Sequence, residues 1–191
     1  MNICVYGASS NKIDQSYIKH GEQLGRVIAE RKHTLIFGGG ANGLMGAAAR
    51  GVYEKGGRII GVAPGFFNVD GILFENCDEL IRTETMRERK QKMEDLADGF
   101  IMTPGGIGTF EEFFEILTLK QLGRHQKPIA VLDTNGYYDS LVQMMQDAVE
   151  GEFMTESCLS LYGIFSSPEE AVKYIEESDT SAMPVSKCKN I

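Results

Sequence analysis

The chain is short of the residues that hold metals and disulfides. Among 191 residues there are three histidines, His20, His33 and His125, and four cysteines, Cys4, Cys77, Cys158 and Cys188. The histidines show no ligand spacing, which argues against a zinc site. The cysteines are far apart and form no CxxC, so they read as free thiols of a cytoplasmic protein. No apolar run reaches the roughly 18 residues of a membrane span. The start, MNICVYGASS, lacks the basic region of a secretion signal and reads as a strand. Positive charge is also scarce, with 19 Lys and Arg against 27 Asp and Glu and a formal net charge of -8. That balance argues against a nucleic acid as partner, while leaving room for a local basic pocket that takes one small anion.

What is present is an ordinary globular composition, 42% apolar and 24% charged, long enough for one domain with a sizeable core. Short apolar runs, among them ICVY (3–6), TLIF (34–37), IIGV (59–62), FIM (100–102) and IAVL (129–132), alternate with helical patterns. The runs are nearly continuous in hydrophobicity, as strands buried on both faces are. Helices are expected near 14–31, 42–56, 85–97, 109–122, 137–150 and 168–177. This order predicts an α/β chain with a doubly wound, mainly parallel sheet of about seven strands and helices on both faces. The domain is expected to span 1–178, with 179–191 a loosely ordered polar tail.

Ligands of such folds sit beyond the carboxyl ends of strands. Three turns there stand out: GASSN, GGGANG and TPGGIGT. The second contains Gly38-x-Gly40-x-x-Gly43 between a strand and a helix, the dinucleotide fingerprint in its usual setting. The following strand, RIIGVAPG, ends without the acid a Rossmann ribose site requires. Two readings stay open for this turn: close helix–strand packing, or amides presented to a phosphate at a helix N-terminus. No Walker-type GxxxxGK[ST] occurs.

The third turn runs MTPGGIGTFEEFFE, 102–115. Gly105, Gly106 and Gly108 can present backbone N–H groups with no Cβ in the way. Thr109-Phe110-Glu111-Glu112 fits a capping box, which predicts Thr109 as N-cap and Glu112 as its reciprocal partner. The rival reading pairs an anion cradle with an acid that stabilises a cationic sugar, as in glycosidic bond cleavage. Upstream, Met86, Met93, Leu96 and Ala97 define the inner face of a helix. Arg89 and Lys90 fall on that same face. They either snorkel to water or point into a polar pocket.

MRERK (86–90) followed by PGGIGTFEE (104–112) resembles the paired signatures of the LOG (LONELY GUY) family, cytokinin riboside 5'-monophosphate phosphoribohydrolases once labelled lysine decarboxylases. The resemblance extends through ICVYGASS, LIFGGGANGLMG, GRIIGVAPGFF, QLGRHQKPIAVLD and GYYDSL, to about residue 175. It implies a Rossmann-like fold, a homodimer, no metal and no cofactor. The implied reaction hydrolyses the N-glycosidic bond of an adenosine 5'-monophosphate, preferably N6-prenylated, to free base and ribose 5-phosphate. By the same resemblance Arg89 and Glu112 are catalytic. Met86, Lys90, Gly105, Gly106, Ile107, Gly108, Thr109, Phe110 and Glu111 bind substrate, Thr118 contacts the ribosyl phosphate, and Gly39, Gly40 and Gly43 belong to the other glycine-rich loop.

Three positions depart from the family pattern. Arg87 replaces a histidine, Ala8 replaces a glycine, and FFNVDGILFENCDEL (66–80) is unlike the usual segment. A family acid that helps hold substrate aligns near Gly71, with Asp70 beside it and Glu75 close by. The rivals to hydrolysis are a nucleotide-binding or carrier protein without catalysis and an NADP-dependent reductase.

Overall fold

The structure is a computed structural model that describes residues 1–67 and 71–180. In chain order the elements are β1 (Asn2–Tyr6), α1 (Gln15–Glu30), β2 (Thr34–Phe37), α2 (Gly43–Glu54), β3 (Ile59–Pro64), β4 (Glu79–Thr83), α3 (Met86–Leu96), β5 (Gly99–Met102), α4 (Ile107–Gln121), β6 (Ile129–Leu132), α5 (Asp139–Glu150), β7 (Gly163–Phe165) and α6 (Pro168–Glu177). Two short 3-10 segments, Thr134–Gly136 and Glu156–Leu161, flank α5 and have no counterpart in the expected elements. The strands form one sheet in the order β4-β3-β2-β1-β5-β6-β7, and every pairing is parallel.

The near-continuous apolar runs have the physical cause expected of them. In β1, Ile3 and Val5 face one core layer and Cys4 and Tyr6 the other, all buried. The first layer receives Leu24, Val27 and Ile28 of α1, Ala48 and Val52 of α2, and Val172 and Ile175 of α6. The second receives Met93 of α3, Phe113, Ile116 and Leu117 of α4, and Met145 of α5. A strand covered by helices on both sides has no solvated face, so it needs no polar alternation.

Side-chain caps start three helices: Asp14 accepts from the Ser16 amide, Thr85 from the Glu88 amide and Ser167 from the Glu170 amide. The cap expected at Thr109 is absent. Helix α4 begins two residues earlier, with Gly106 at its N-cap and no side-chain hydrogen bond there. Thr109 is instead the third residue of the helix, and its hydroxyl packs against Gly105. At α3 the side chain of Glu88 reaches back past its cap Thr85, Oε2 accepting from the Glu84 amide at 2.9 Å.

Helices α1 and α2 approach through glycine. A Cβ at Gly25 would lie 2.1 Å from the Ala48 carbonyl oxygen, and one at Gly51 would lie 2.1 Å from that of Glu22. Both obstacles are backbone, so neither can swing aside. We expect Gly25→Ala to cost about 1–3 kcal/mol, read as a lowered urea midpoint with an unchanged m-value. An unchanged midpoint would show that the two helices slide apart freely.

Candidate active site

In open parallel sheets the ligand crevice lies where the winding reverses. Here that point is between β1 and β5, because the chain builds outward from β1 to β4 and then returns to β5. The turn after β1, Gly7–Ser9, and Gly106 at the end of the turn after β5 border a cavity of about 520 Å³. Gly38, Gly40, Asn42 and Met45 supply a second wall, and Met86 and Arg89 of α3 a third. The N-terminal turn of α4 and Glu112 close the fourth. Volume and lining suit a small polar ligand with an apolar part.

At its base lies a buried ion pair. Arg89 is 5% exposed and Glu112 9%. The guanidinium Nη1 donates to Glu112 Oε1 at 2.8 Å, and Nε donates to the Val62 carbonyl at 3.2 Å. Arg89 therefore does not snorkel: its head turns inward to a partner on another helix. Gly38 makes room for it, since a Cβ there would stand 1.9 Å from Arg89 Nη2. Burial pushes the Glu112 carboxyl above the ordinary carboxylate range, while the charge and hydrogen bond of Arg89 pull the other way. A carboxylate deprived of water but held by one guanidinium is what electrostatic stabilisation of a nearby cation requires.

The two glycine-rich turns do different work. At the start of α2 the first amides are already used. The Gly43 amide donates to Asn11 Oδ1, and those of Leu44 and Met45 donate to the Ala8 carbonyl. The α2 helix start thus spends these amides on packing, and a Cβ at Gly43 would sit 2.3 Å from the Ala8 oxygen, while Gly38, Gly40 and Asn42 of the same turn line the cavity. At the start of α4, by contrast, the amides of Ile107, Gly108 and Thr109 have no protein acceptor among the described residues. Unpaired amides at the positive end of a fifteen-residue helix form a natural anion site.

The expected residues divide as follows. Arg89, Glu112, Met86, Gly40, Gly106, Ile107, Gly108 and Thr109 line the cavity. Met86, expected on the inner face of its helix, is 40% exposed and opens into it. Gly105 lies just behind, against Thr109. Gly39 and Gly43 lie outside the lining and turn the loop with φ of 76° and 59°. Lys90 turns away to bond Glu111 and, at 2.9 Å, Glu115. Phe110 packs against the core. Thr118 is exposed three turns along α4, apart from this cavity. Glu75 is exposed and outside the lining, and Asp70 lies outside the described residues.

Sequence reasoning missed Gly38 as the seat of the guanidinium, and also Ser9, Asn42 and Met45. The missed apolar wall, Phe67, Ile72 and Leu73, lies in the divergent segment after β3. Its backbone is stitched to the first glycine turn. The Ala41 amide donates to the Ile72 carbonyl at 2.8 Å, and the Phe74 amide to that of Gly39 at 2.9 Å.

Fold and site together define an α/β protein with a nucleotide-sized crevice, an anion-ready helix start and a buried Arg–Glu pair. The family model described as "Possible lysine decarboxylase" matches residues 45–175. The chain is 37% identical over 174 residues to a probable cytokinin riboside 5'-monophosphate phosphoribohydrolase of Oryza sativa subsp. japonica, covering 91% of this chain and 70% of that one. It is also 37% identical over 175 residues to a cytokinin riboside 5'-monophosphate phosphoribohydrolase of Arabidopsis thaliana, covering 92% and 81%. The chain belongs to this family, the LOG family. The molybdenum cofactor carrier protein of Chlamydomonas reinhardtii has the same fold, with a TM-score of 0.69 at 23% identity over 92% of this chain and 95% of that one.

Removing one member of a buried ion pair costs about 3–5 kcal/mol, whereas replacing both with apolar groups is often neutral. We therefore expect Glu112→Leu alone to be destabilised on that scale, and Arg89→Met with Glu112→Leu to regain most of the loss in chemical denaturation. Additive losses in the double variant would mean that the two side chains do not depend on each other.

Proposed function

We propose that the chain hydrolyses the N-glycosidic bond of an adenosine-type nucleoside 5'-monophosphate, the reaction named for its relatives, giving free base and ribose 5-phosphate. The observation that carries this reading is the meeting, in one cavity, of unpaired α4 amides with the carboxylate of Glu112. The amides of Ile107, Gly108 and Thr109 take the 5'-phosphate, with the Thr109 hydroxyl beside them. That anchorage sets the ribose over Glu112. As the bond from C1' to the base breaks, its electron pair leaves with the base and C1' becomes cationic. The carboxylate stabilises that charge. Water then adds its oxygen to C1', and its proton balances the departed base. Arg89 holds the carboxylate in place and keeps it ionised against burial.

The apolar wall of Met86, Ile107, Phe67, Ile72 and Leu73 supports a base that carries an apolar N6 substituent. Arg87 is exposed and lies outside this lining, which supports its replacement of the family histidine as neutral for the chemistry. A homodimer is part of the same reading: Leu122, Met144 and Phe153, on or just after α4 and α5, expose apolar surface. A monomeric mass in sedimentation equilibrium would remove that part.

The test is to incubate the protein with AMP and with N6-isopentenyl-AMP and to separate free base by chromatography. Base release is expected, and Glu112→Gln should lower it by about 10²–10⁴-fold while the nucleotide still binds. A carrier would bind both nucleotides and release no base from either.

The pH profile supplies a second check. The ionised form of Glu112 is the active one, and burial raises its pKa. Protonation then removes activity as pH falls, so the acid limb of kcat/KM should lie above the ordinary carboxylate range. An acid limb at or below that range would contradict the role given to Glu112.

A further inference from the structure

The turn that begins α4 must present amides to an anion, yet each of its peptides also carries a carbonyl of opposite polarity. Three successive carbonyls leading into the helix are each tied to a donor. That of Thr103 accepts from the Tyr138 hydroxyl at 2.7 Å, that of Pro104 from the Ala8 amide at 3.0 Å, and that of Gly105 from the Tyr137 hydroxyl at 2.6 Å. The next carbonyl, of Gly106, enters the helix by accepting from Phe110 at 3.0 Å. No carbonyl in the run is left to turn toward the cavity.

Two of the three donors are adjacent tyrosines from the loop after β6. Tyr138 is fully buried and Tyr137 is 41% exposed, their rings meeting edge-on at 4.9 Å. The loop that carries them is itself held. Asp133 Oδ1 accepts from the Tyr138 amide at 2.7 Å, and Asn135 and Gly136 adopt φ of 57° and 68°. A turn of this shape aims both hydroxyls at one neighbouring segment. Neither tyrosine is among the residues lining the cavity.

We propose that Tyr137 and Tyr138 are positioning residues that set the polarity of the anion site, holding the carbonyls of Gly105 and Thr103 outward so that only amides face a bound phosphate. This rests on the proposed function for the identity of the anion, but the clamp acts on any phosphate at the α4 start. Gly105 is the sensitive point. Its neighbour Gly106 has no Cβ to restrain rotation of the intervening peptide, and open space surrounds it. Without the Tyr137 hydroxyl that peptide is free to turn its oxygen toward the ligand, where it repels negative charge.

The experiment uses Tyr137→Phe in the full chain, because Tyr137 is partly exposed and the change removes one oxygen. Calorimetric titrations with adenosine and inorganic phosphate are compared with the unaltered protein, and those with AMP are made with and without the change in a Glu112→Gln background that binds it without rapid turnover. A hydrogen bond that governs a charged contact is worth about a tenfold change in affinity. Binding of AMP and of inorganic phosphate should weaken about tenfold, with adenosine binding unchanged and the melting temperature preserved. In turnover the same variant should raise KM for the 5'-monophosphate by that factor while kcat holds. Equal weakening for adenosine and AMP would overturn the proposal, as would unchanged phosphate affinity. Absence of base release from the unaltered protein would count against the proposed reaction alone, since the binding comparison reads the clamp without it.

Discussion

The rest of the site depends on one charge pair largely withdrawn from water. Arg89 arrives from α3 and Glu112 from α4, and either charge buried there without the other would be costly. Their mutual attraction fixes the distance between two helices at the sheet edge. It also requires the backbone of a third element to recede, which is why a glycine stands at 38. Three separate stretches of chain are thereby committed to one geometry. A pair in open water would be worth far less and would organise nothing.

Around that pair the protein divides labour between two glycine-rich turns that look alike in sequence. One spends its amides internally, bonding β1's turn to the start of α2. The other keeps its amides unspent. The difference comes from what lies beside each turn. Asn11 and the Ala8 carbonyl accept from the first, whereas among the described residues the Tyr137 and Tyr138 hydroxyls and the Ala8 amide donate to carbonyls of the second and no group accepts from the amides of Ile107, Gly108 and Thr109. Glycine spacing records that a turn is tight. It does not record who occupies the hydrogen-bonding positions.

Much of this was legible in the chain. Strands covered on both sides advertise themselves as unbroken apolar runs, and all seven run parallel where a mainly parallel sheet was expected. Arg89 on an apolar helical face signalled an inward charge. What could not be read came from contacts between distant segments. Thr109 looked like a cap, because Thr-x-x-Glu ordinarily is one. The helix starts at Ile107 instead, and Glu112 is already claimed by a residue 23 positions away. Met86 followed the core spacing of Met93, but it opens the helix at the carboxyl edge of the sheet, where the core ends and the cavity begins. The wall after β3 is not legible because its residues break the family pattern and carry no chemical motif of their own.

That wall is joined to the first glycine turn through main-chain atoms: Ala41 to Ile72, Phe74 to Gly39, and a bridge between Gly40 and Leu73. Main-chain bonds are indifferent to side-chain identity, so the cavity-facing Ile72 can change without unseating the stretch, which the core-packed Phe74 also anchors. Arg89 and Glu112 sit on other elements, α3 and α4. On the proposed reading, base preference rests on Ile72 and Leu73 while Phe74 of the same strip is spent on the core, so neighbouring residues of one short segment answer to different demands.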